Sequence, residues 1–225
     1  MRRTAYRLPA GTNLHPLFRF FRPASGPGLW NLRFPSLWIA VERGPTRACQ
    51  DKTYGFACAR SFAIYQGPLV PAVLLLKFEQ IEPLGLWFAR RLAEVVASEH
   101  GRFAADVVVP VPLHRQRQRE RGYNQAALIS KPLAKRLRLL MRTKARPDKR
   151  ILSLEERWES VRGAFAMRPG SQVDNLRVLS VDDVLTTGAT LDACARALRE
   201  AGAKSVVTLT VARAVRNPLP SSVEW

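Results

Sequence analysis

The chain has 225 residues, enough for one sizeable domain with a small appendage. Its 36 Lys and Arg against 18 Asp and Glu give a formal net charge of +18, which narrows partners to anionic ones: phosphorylated metabolites, nucleic acid or acidic protein surfaces. No apolar run reaches spanning length, so a transmembrane helix is excluded; the basic start Met1–Arg7 leads into no apolar segment, so no secretory leader is expected; and three cysteines, Cys49, Cys58 and Cys194, argue against a disulfide framework and for a reducing, cytoplasmic setting without membrane contact.

Residues 1–58 read differently from the rest. Pro9, Pro16, Pro23, Pro27, Pro35 and Pro45 interrupt them, and their first 50 residues hold eight arginines against one acid, Glu42. No helical or alternating period persists, so this is predicted to be an irregular or disordered basic arm, with Phe18, Phe20, Phe21, Trp30 and Trp38 as anchoring residues. Globular patterning covers residues 59–215. Ser61–Gln66 alternates like a short strand, Gly67-Pro68 turns the chain, and Pro71–Phe78 reads as a short apolar helix. Leu84, Phe88, Leu92 and Val95 mark the core face of a longer helix ending by Gly101. Asp106–Pro110 is a buried strand of the parallel type, followed by a basic loop. A helix is predicted from about Asn124, its cap, to Leu139, with Pro132 kinking or splitting it. Ser153 and Glu156 form a capping box that starts another helix. Leu176–Val181 is the next strand. Leu191, Cys194, Ala195 and Leu198 then face the core from a helix that Gly202 ends, Ser205–Val211 is the last strand, and residues 216–225 are a tail. Alternating strands and helices argue a doubly wound α/β fold with a parallel sheet, whose ligands bind outside the carboxyl ends of the strands.

The richest stretch is Val178–Thr190, where an apolar, β-branched run ends in two adjacent carboxylates, Asp182 and Asp183. Thr186, Thr187, Gly188, Ala189 and Thr190 follow, and then the helical pattern begins. The first N–H groups of a helix lack partners and its dipole favours negative charge, so the loop is a cradle for an anion. Three threonine hydroxyls add donors, and Gly188 lets the backbone approach closely. A phosphorylated sugar needs both halves of this site: N–H groups for its phosphate and carboxylates for its ring hydroxyls. The plainer alternative is an ordinary strand–turn–helix with Thr187 or Thr190 as the N-cap.

This run resembles the signature of type I phosphoribosyltransferases, which bind phosphoribosyl pyrophosphate (PRPP). Asp106–His114, the arginine-rich run ending Arg121-Gly-Tyr-Asn-Gln125, and Trp158–Phe165 extend the likeness to the ComF family, bacterial phosphoribosyltransferase-like proteins associated with competence and DNA uptake. The resemblance spans roughly Ser61 to Arg213. It implies the type I phosphoribosyltransferase kind of parallel sheet, with the 5′-phosphate on residues 186–190 and ribose hydroxyls on Asp182 and Asp183. It implies a pyrophosphate loop at Pro110–Arg115, with Leu113, His114 and Arg115, Arg121 close by. It also implies a flexible covering loop at Arg146–Arg162, with Arg146, Lys149 and Arg162. The implied cofactor is Mg²⁺, carried on substrate oxygens and water rather than by direct protein ligands. The implied activity is phosphoribosyl transfer to an unspecified acceptor with release of pyrophosphate. The alternative is a non-catalytic PRPP- or nucleotide-binding protein that supports DNA uptake or processing through contact with single-stranded DNA or competence proteins; a dimer is compatible with either.

One departure stands out. Family members usually begin with a zinc module of paired Cys-x-x-Cys motifs, and here Cys49 and Cys58 stand alone, too few to close a tetrahedral site. No intrachain structural zinc is expected, and the arm is read as a lost module or a mis-assigned start. His114 has two readings: a phosphate donor or acid on the leaving group, or a loop histidine that caps structure. His15 and His100 read as surface residues, Cys194 as inert helix core, and Trp87 and Trp158 as packing residues. Thirteen cations lie between Arg115 and Arg150 against Glu120 and Asp148, a patch that serves pyrophosphate or nucleic acid equally well.

Overall fold

Four strands carry the domain: β3 (Cys58–Ile64), β4 (Val107–Pro110), β7 (Arg177–Leu185) and β8 (Ser205–Arg213). All are parallel, in the order β3-β8-β7-β4. This is a computed structural model, and it describes residues 21–23, 30–32, 54–79, 81–99, 101–133, 139–144 and 153–214. Parallel neighbours need long crossovers, and each one here contains helix. Helices α1 (Leu69–Phe78) and α2 (Glu82–Ser98) link β3 to β4. Helices α3 (Arg115–Arg121), α4 (Gln125–Ile129) and α5 (Leu154–Glu159), with strands β5 (Leu140–Arg142) and β6 (Phe165–Met167), link β4 to β7. Helix α6 (Ala189–Glu200) links β7 to β8.

Alternation along the strands divides the core in two. Val108, Leu179, Val181, Leu209 and Val211 face α1, α2 and α4, packing on Leu76, Phe88 and Ile129. Val107, Val109, Val178 and Val206 face α6 and the β5–β6 pair, packing on Leu191, Leu198, Leu140 and Phe165. Helices on both faces make this the doubly wound α/β architecture expected from the alternation of strands and helices. Register is pinned at the amino ends of β4 and β7. The Arg177 guanidinium lies 2.7 Å from Asp106 Oδ1, and its backbone N–H donates to Asp106 Oδ2 at 2.8 Å. Those bonds hold the Asp106 carboxyl down at about 2.

Several local expectations are corrected or refined. The strand predicted to end at Val181 runs to Leu185, so Asp182 and Asp183 are strand residues in register with β8, Asp182 opposite Thr210. The basic stretch 115–121 is a helix. It has no apolar period because none of its residues is buried; His114 and Gly122 cap it, and Gln116 bonds Glu120 one turn on. The segment predicted as helix over Asn124–Leu139 is split, as one of the two expected effects of Pro132: its first part ends at Ile129, because Pro132 lacks an N–H and disfavours helical geometry just before it, and residues 134–138 lie outside the described residues. Leu140–Arg142 then pairs antiparallel with Phe165–Met167, a contact between distant residues that no local pattern announces. Finally, the domain starts upstream of residue 59. Phe56 is 8% exposed within the core, and the Ala57 N–H donates to Val206 O at 2.8 Å. Two short strands, β1 (Phe21–Pro23) and β2 (Trp30–Leu32), pair antiparallel within the arm. His15, Cys49 and His100 and the 216–225 tail lie outside the described residues.

Candidate functional site

Pro110 of β4 pairs with Val181 of β7, and the Val111 N–H donates to Val181 O at 2.9 Å. Residues 111–114 therefore leave the sheet at its carboxyl edge, beside the part of β7 that carries the carboxylate pair. This is the edge at which α/β folds bind ligands.

Neighbouring strand residues point to opposite faces, so the two carboxylates diverge. Asp183 turns toward α1 and α4. Lys77 Nζ lies 3.1 Å from its Oδ1, and Gln125 Nε2 donates to its Oδ2 at 2.8 Å. Asp183 is only 5% exposed, so both oxygens are committed to protein partners. Asn124 supports this arrangement: its Oδ1 accepts from the Ala126 N–H at 2.9 Å, capping α4, while its Nδ2 donates to Val111 O at 2.9 Å. Gln125 is thereby tied to the loop after β4. Tyr65 and Tyr123 flank the cluster. Burial raises both phenols, Tyr123 to about 12, and the Asp183 charge adds to each shift.

Asp182 turns toward α6. Its Oδ1 accepts from the Asp183 N–H at 2.9 Å. Burial first, and the Asp183 charge second, push its carboxyl up to about 7 against the opposing pull of Lys77 and Arg142. Cys194, behind it on α6, is fully buried, and that burial pushes its thiol well above the ordinary range. It is helix core, as its spacing predicts.

Between β7 and α6 the chain turns through Thr186, Thr187 and Gly188. Gly188 is the N-cap of α6 at φ +81°, a left-handed conformation that glycine adopts without strain. The Ala189 N–H donates to Thr187 Oγ1 at 3.3 Å, so Thr187 shapes the turn, but the N-cap is Gly188 rather than Thr187 or Thr190, and Thr190 already lies inside the helix. The one acid in the first turn of α6, Asp192, is buried. It accepts from the Gly55 N–H at 2.7 Å and from Arg196 Nε at 2.8 Å, so its charge is matched within the protein rather than opposing an anion at the helix entrance.

The other predicted residues divide. His114 takes its capping role: it is the N-cap of α3, and its Nδ1 accepts from the Gln116 N–H at 3.4 Å. Leu113, half-buried, sits with it on the loop beside β7, and Arg115, exposed, is the first residue of α3. Arg121 stacks its guanidinium 4.9 Å over the ring of Phe78, the neighbour of Lys77 on α1. Arg162 follows α5, 78% exposed and 3.0 Å from Glu159. Arg146 and Lys149 lie outside the described residues. Among the described residues, no three of His, Cys, Asp and Glu gather where they could hold a metal ion.

Sequence reasoning missed Lys77, Gln125, Tyr123 and Tyr54. Lys77 left a signal, being the one charged residue of the apolar helix LVPAVLLLKF. Tyr54 left none, since it falls in the stretch assigned to the arm.

The phosphoribosyl transferase domain family matches residues 81–222. Competence protein F of Haemophilus influenzae is 31% identical over 164 residues, 67% of this chain and 70% of its own length. The DNA utilization protein YhgH of Escherichia coli is 30% identical over 171 residues, 72% of this chain and 74% of its own. The chain belongs to the ComF family of phosphoribosyltransferase-type proteins. Competence protein ComFC of Bacillus subtilis, 36% identical over 115 residues, covers 48% of this chain and 44% of its own length. The domain match begins at Ile81, so in this ComF-family chain Tyr54, Tyr65 and Lys77 reach the site from outside the matched segment. Among the described residues no helix is long and apolar enough to cross a membrane.

Proposed function

We propose that this site binds PRPP and transfers its phosphoribosyl group to an acceptor with release of pyrophosphate, in the cytoplasm. One observation carries the reading. The Thr186–Gly188 turn that opens α6 follows Asp182 and Asp183 in the chain with only Val184 and Leu185 between, and the 111–114 loop leaves the sheet beside them. In this reading the N–H groups at the start of α6 and the threonine hydroxyls hold the 5′-phosphate. Asp182 accepts from a ribose hydroxyl. Asp183, fixed by Lys77 and Gln125, braces Asp182 through its backbone N–H, and a remaining lone pair of its carboxylate accepts from a second hydroxyl. The loop carrying His114 and Arg115 faces the pyrophosphate, and its positive charge stabilises the leaving group. The bond from C1 of the ribose to the pyrophosphate oxygen breaks as the acceptor's lone pair forms the new bond to C1.

The donor set suits Mg²⁺ as a substrate-borne ion. Both Asp183 oxygens are engaged and no three-ligand cluster exists among the described residues, so pyrophosphate and ribose oxygens with water would supply most of its ligands. Once bound, it would neutralise charge on the leaving pyrophosphate.

A second reading is a PRPP-binding protein that supports DNA handling without turnover, of which the DNA-handling part is compatible with the relatives' names, competence protein F and DNA utilization protein. Incubation with PRPP, Mg²⁺ and a panel of bases and amine donors separates the two. Pyrophosphate release with one acceptor supports transfer. Binding without release under every acceptor, joined by tight single-stranded DNA binding that PRPP leaves unchanged, supports the second reading.

A further inference from the structure

Residues 54–56, which run into β3, lie across the first turns of α6. The Tyr54 ring covers Gly188: a Cβ there would come within 3.0 Å of Tyr54 Cε1. The Tyr54 hydroxyl donates to the Thr187 carbonyl at 3.5 Å. Gly55 follows so closely that a Cβ on it would meet Arg196 Cγ and N at 2.9 Å, and its N–H is the donor that Asp192 uses. Phe56 stacks on Tyr54 with centroids 4.7 Å apart and anchors in the core. On its other side Tyr54 meets Trp158 of α5, with centroids 5.9 Å apart and planes tilted by 40°. Three consecutive residues thus make separate contacts to the turn at the entrance of α6, to its first acid, and to the core beneath.

We propose that Tyr54–Phe56 is a positioning strap: Tyr54 holds Thr187 and Gly188 in the conformation that presents the start of α6, and through Trp158 it couples that turn to α5. A turn carrying a left-handed residue at a helix entrance, with no ring laid on it, has several conformations open to it. A ring laid against it removes them before any ligand arrives, which lowers the ordering cost of binding. The ring contact with Trp158 gives α5 a stake in the same conformation. The effect on ligand affinity rests on the phosphate reading above; the coupling between strap and turn does not.

Amide hydrogen exchange on the full-length chain without ligand tests the coupling. In Tyr54→Leu, exchange at residues 187–190 and in α5 should accelerate by about 10-fold, with the amides of β7 and β8 unchanged. Tyr54→Phe, which keeps the ring, should stay within about 2-fold of the native chain, and Trp158→Leu should accelerate residues 187–190 as well. Wild-type exchange at the turn in Tyr54→Leu would overturn the proposal, and so would an acceleration spread evenly over the sheet, which signals general loosening. A second arm adds PRPP with Mg²⁺. Protection of residues 187–190 that is strong in the native chain and weaker in Tyr54→Leu supports the link to affinity. No protection in the native chain would count against the phosphate reading while leaving the ligand-free result to decide the strap.

Discussion

Lys77 Nζ lies 3.1 Å from Asp183 Oδ1, on the face of the sheet turned away from Asp182. The side chains are 21% and 7% exposed, so the pair is largely shielded from water. Removing one partner of such a pair leaves the other charge buried and uncompensated. Lys77→Met should therefore cost roughly 3 kcal/mol of unfolding free energy in denaturant melts. Adding Asp183→Asn should restore much of that loss, because the amide carries no charge to strand. A double variant no more stable than Lys77→Met would contradict the pairing.

Asp182 makes stability depend on pH in a direction opposite to most carboxylates. Its carboxyl titrates at about 7 in the folded chain against 3.8 for the ordinary group, through burial and the neighbouring Asp183. Between those values the folded chain holds a proton that the unfolded chain has released. This contribution to stability therefore falls as pH rises across that window. Asp182→Asn removes the titration. Denaturant melts at about pH 5 and about pH 8 should show the variant gaining on the native chain at the higher value. An equal difference at both would sink the assignment.

Gly188 sits at φ +81° beneath the Tyr54 ring. An alanine there meets backbone strain and the ring together. Gly188→Ala should lose about 1–3 kcal/mol in thermal or denaturant unfolding, and PRPP affinity should fall with it. A variant as stable as the native chain, with unchanged affinity, would show that the turn does not need this geometry.

Truncation maps where the domain begins. Deleting residues 1–48 should leave a cooperative thermal transition, because the strap and Phe56 remain. Deleting residues 1–57 removes a core aromatic that is 8% exposed, a loss of about 3–5 kcal/mol, comparable with the whole stability of a marginal domain. Matching transitions in the two truncations would mean the strap contributes nothing.

The α/β class, the strand–helix alternation and the anion loop were legible in the sequence because each is a local pattern. Val178–Thr190 places an apolar strand, two acids and a threonine-glycine turn in one continuous run, and Ser153 with Glu156 announces its helix within four residues. What stayed hidden depends on distant contacts. Asp182 and Asp183 look equivalent in the sequence; the ion pair that distinguishes Asp183 comes from Lys77, over a hundred residues upstream. The β5–β6 pair joins two three-residue strands too short to show a period. The stacking of Arg121 on Phe78 likewise joins residues over forty positions apart. Tyr54 follows a stretch without periodicity, so nothing local separates it from the arm.

Calorimetric titration of PRPP with Mg²⁺ tests the central claim most directly, that this edge of the sheet holds a phosphorylated ribose. The native chain should bind. Asp182→Asn with Asp183→Asn, checked for an intact thermal transition, should bind at least tenfold more weakly, since each lost charge-assisted hydrogen bond is worth about 1.5–3 kcal/mol. Unchanged PRPP affinity in the folded double variant, or no binding by the native chain, would contradict the account.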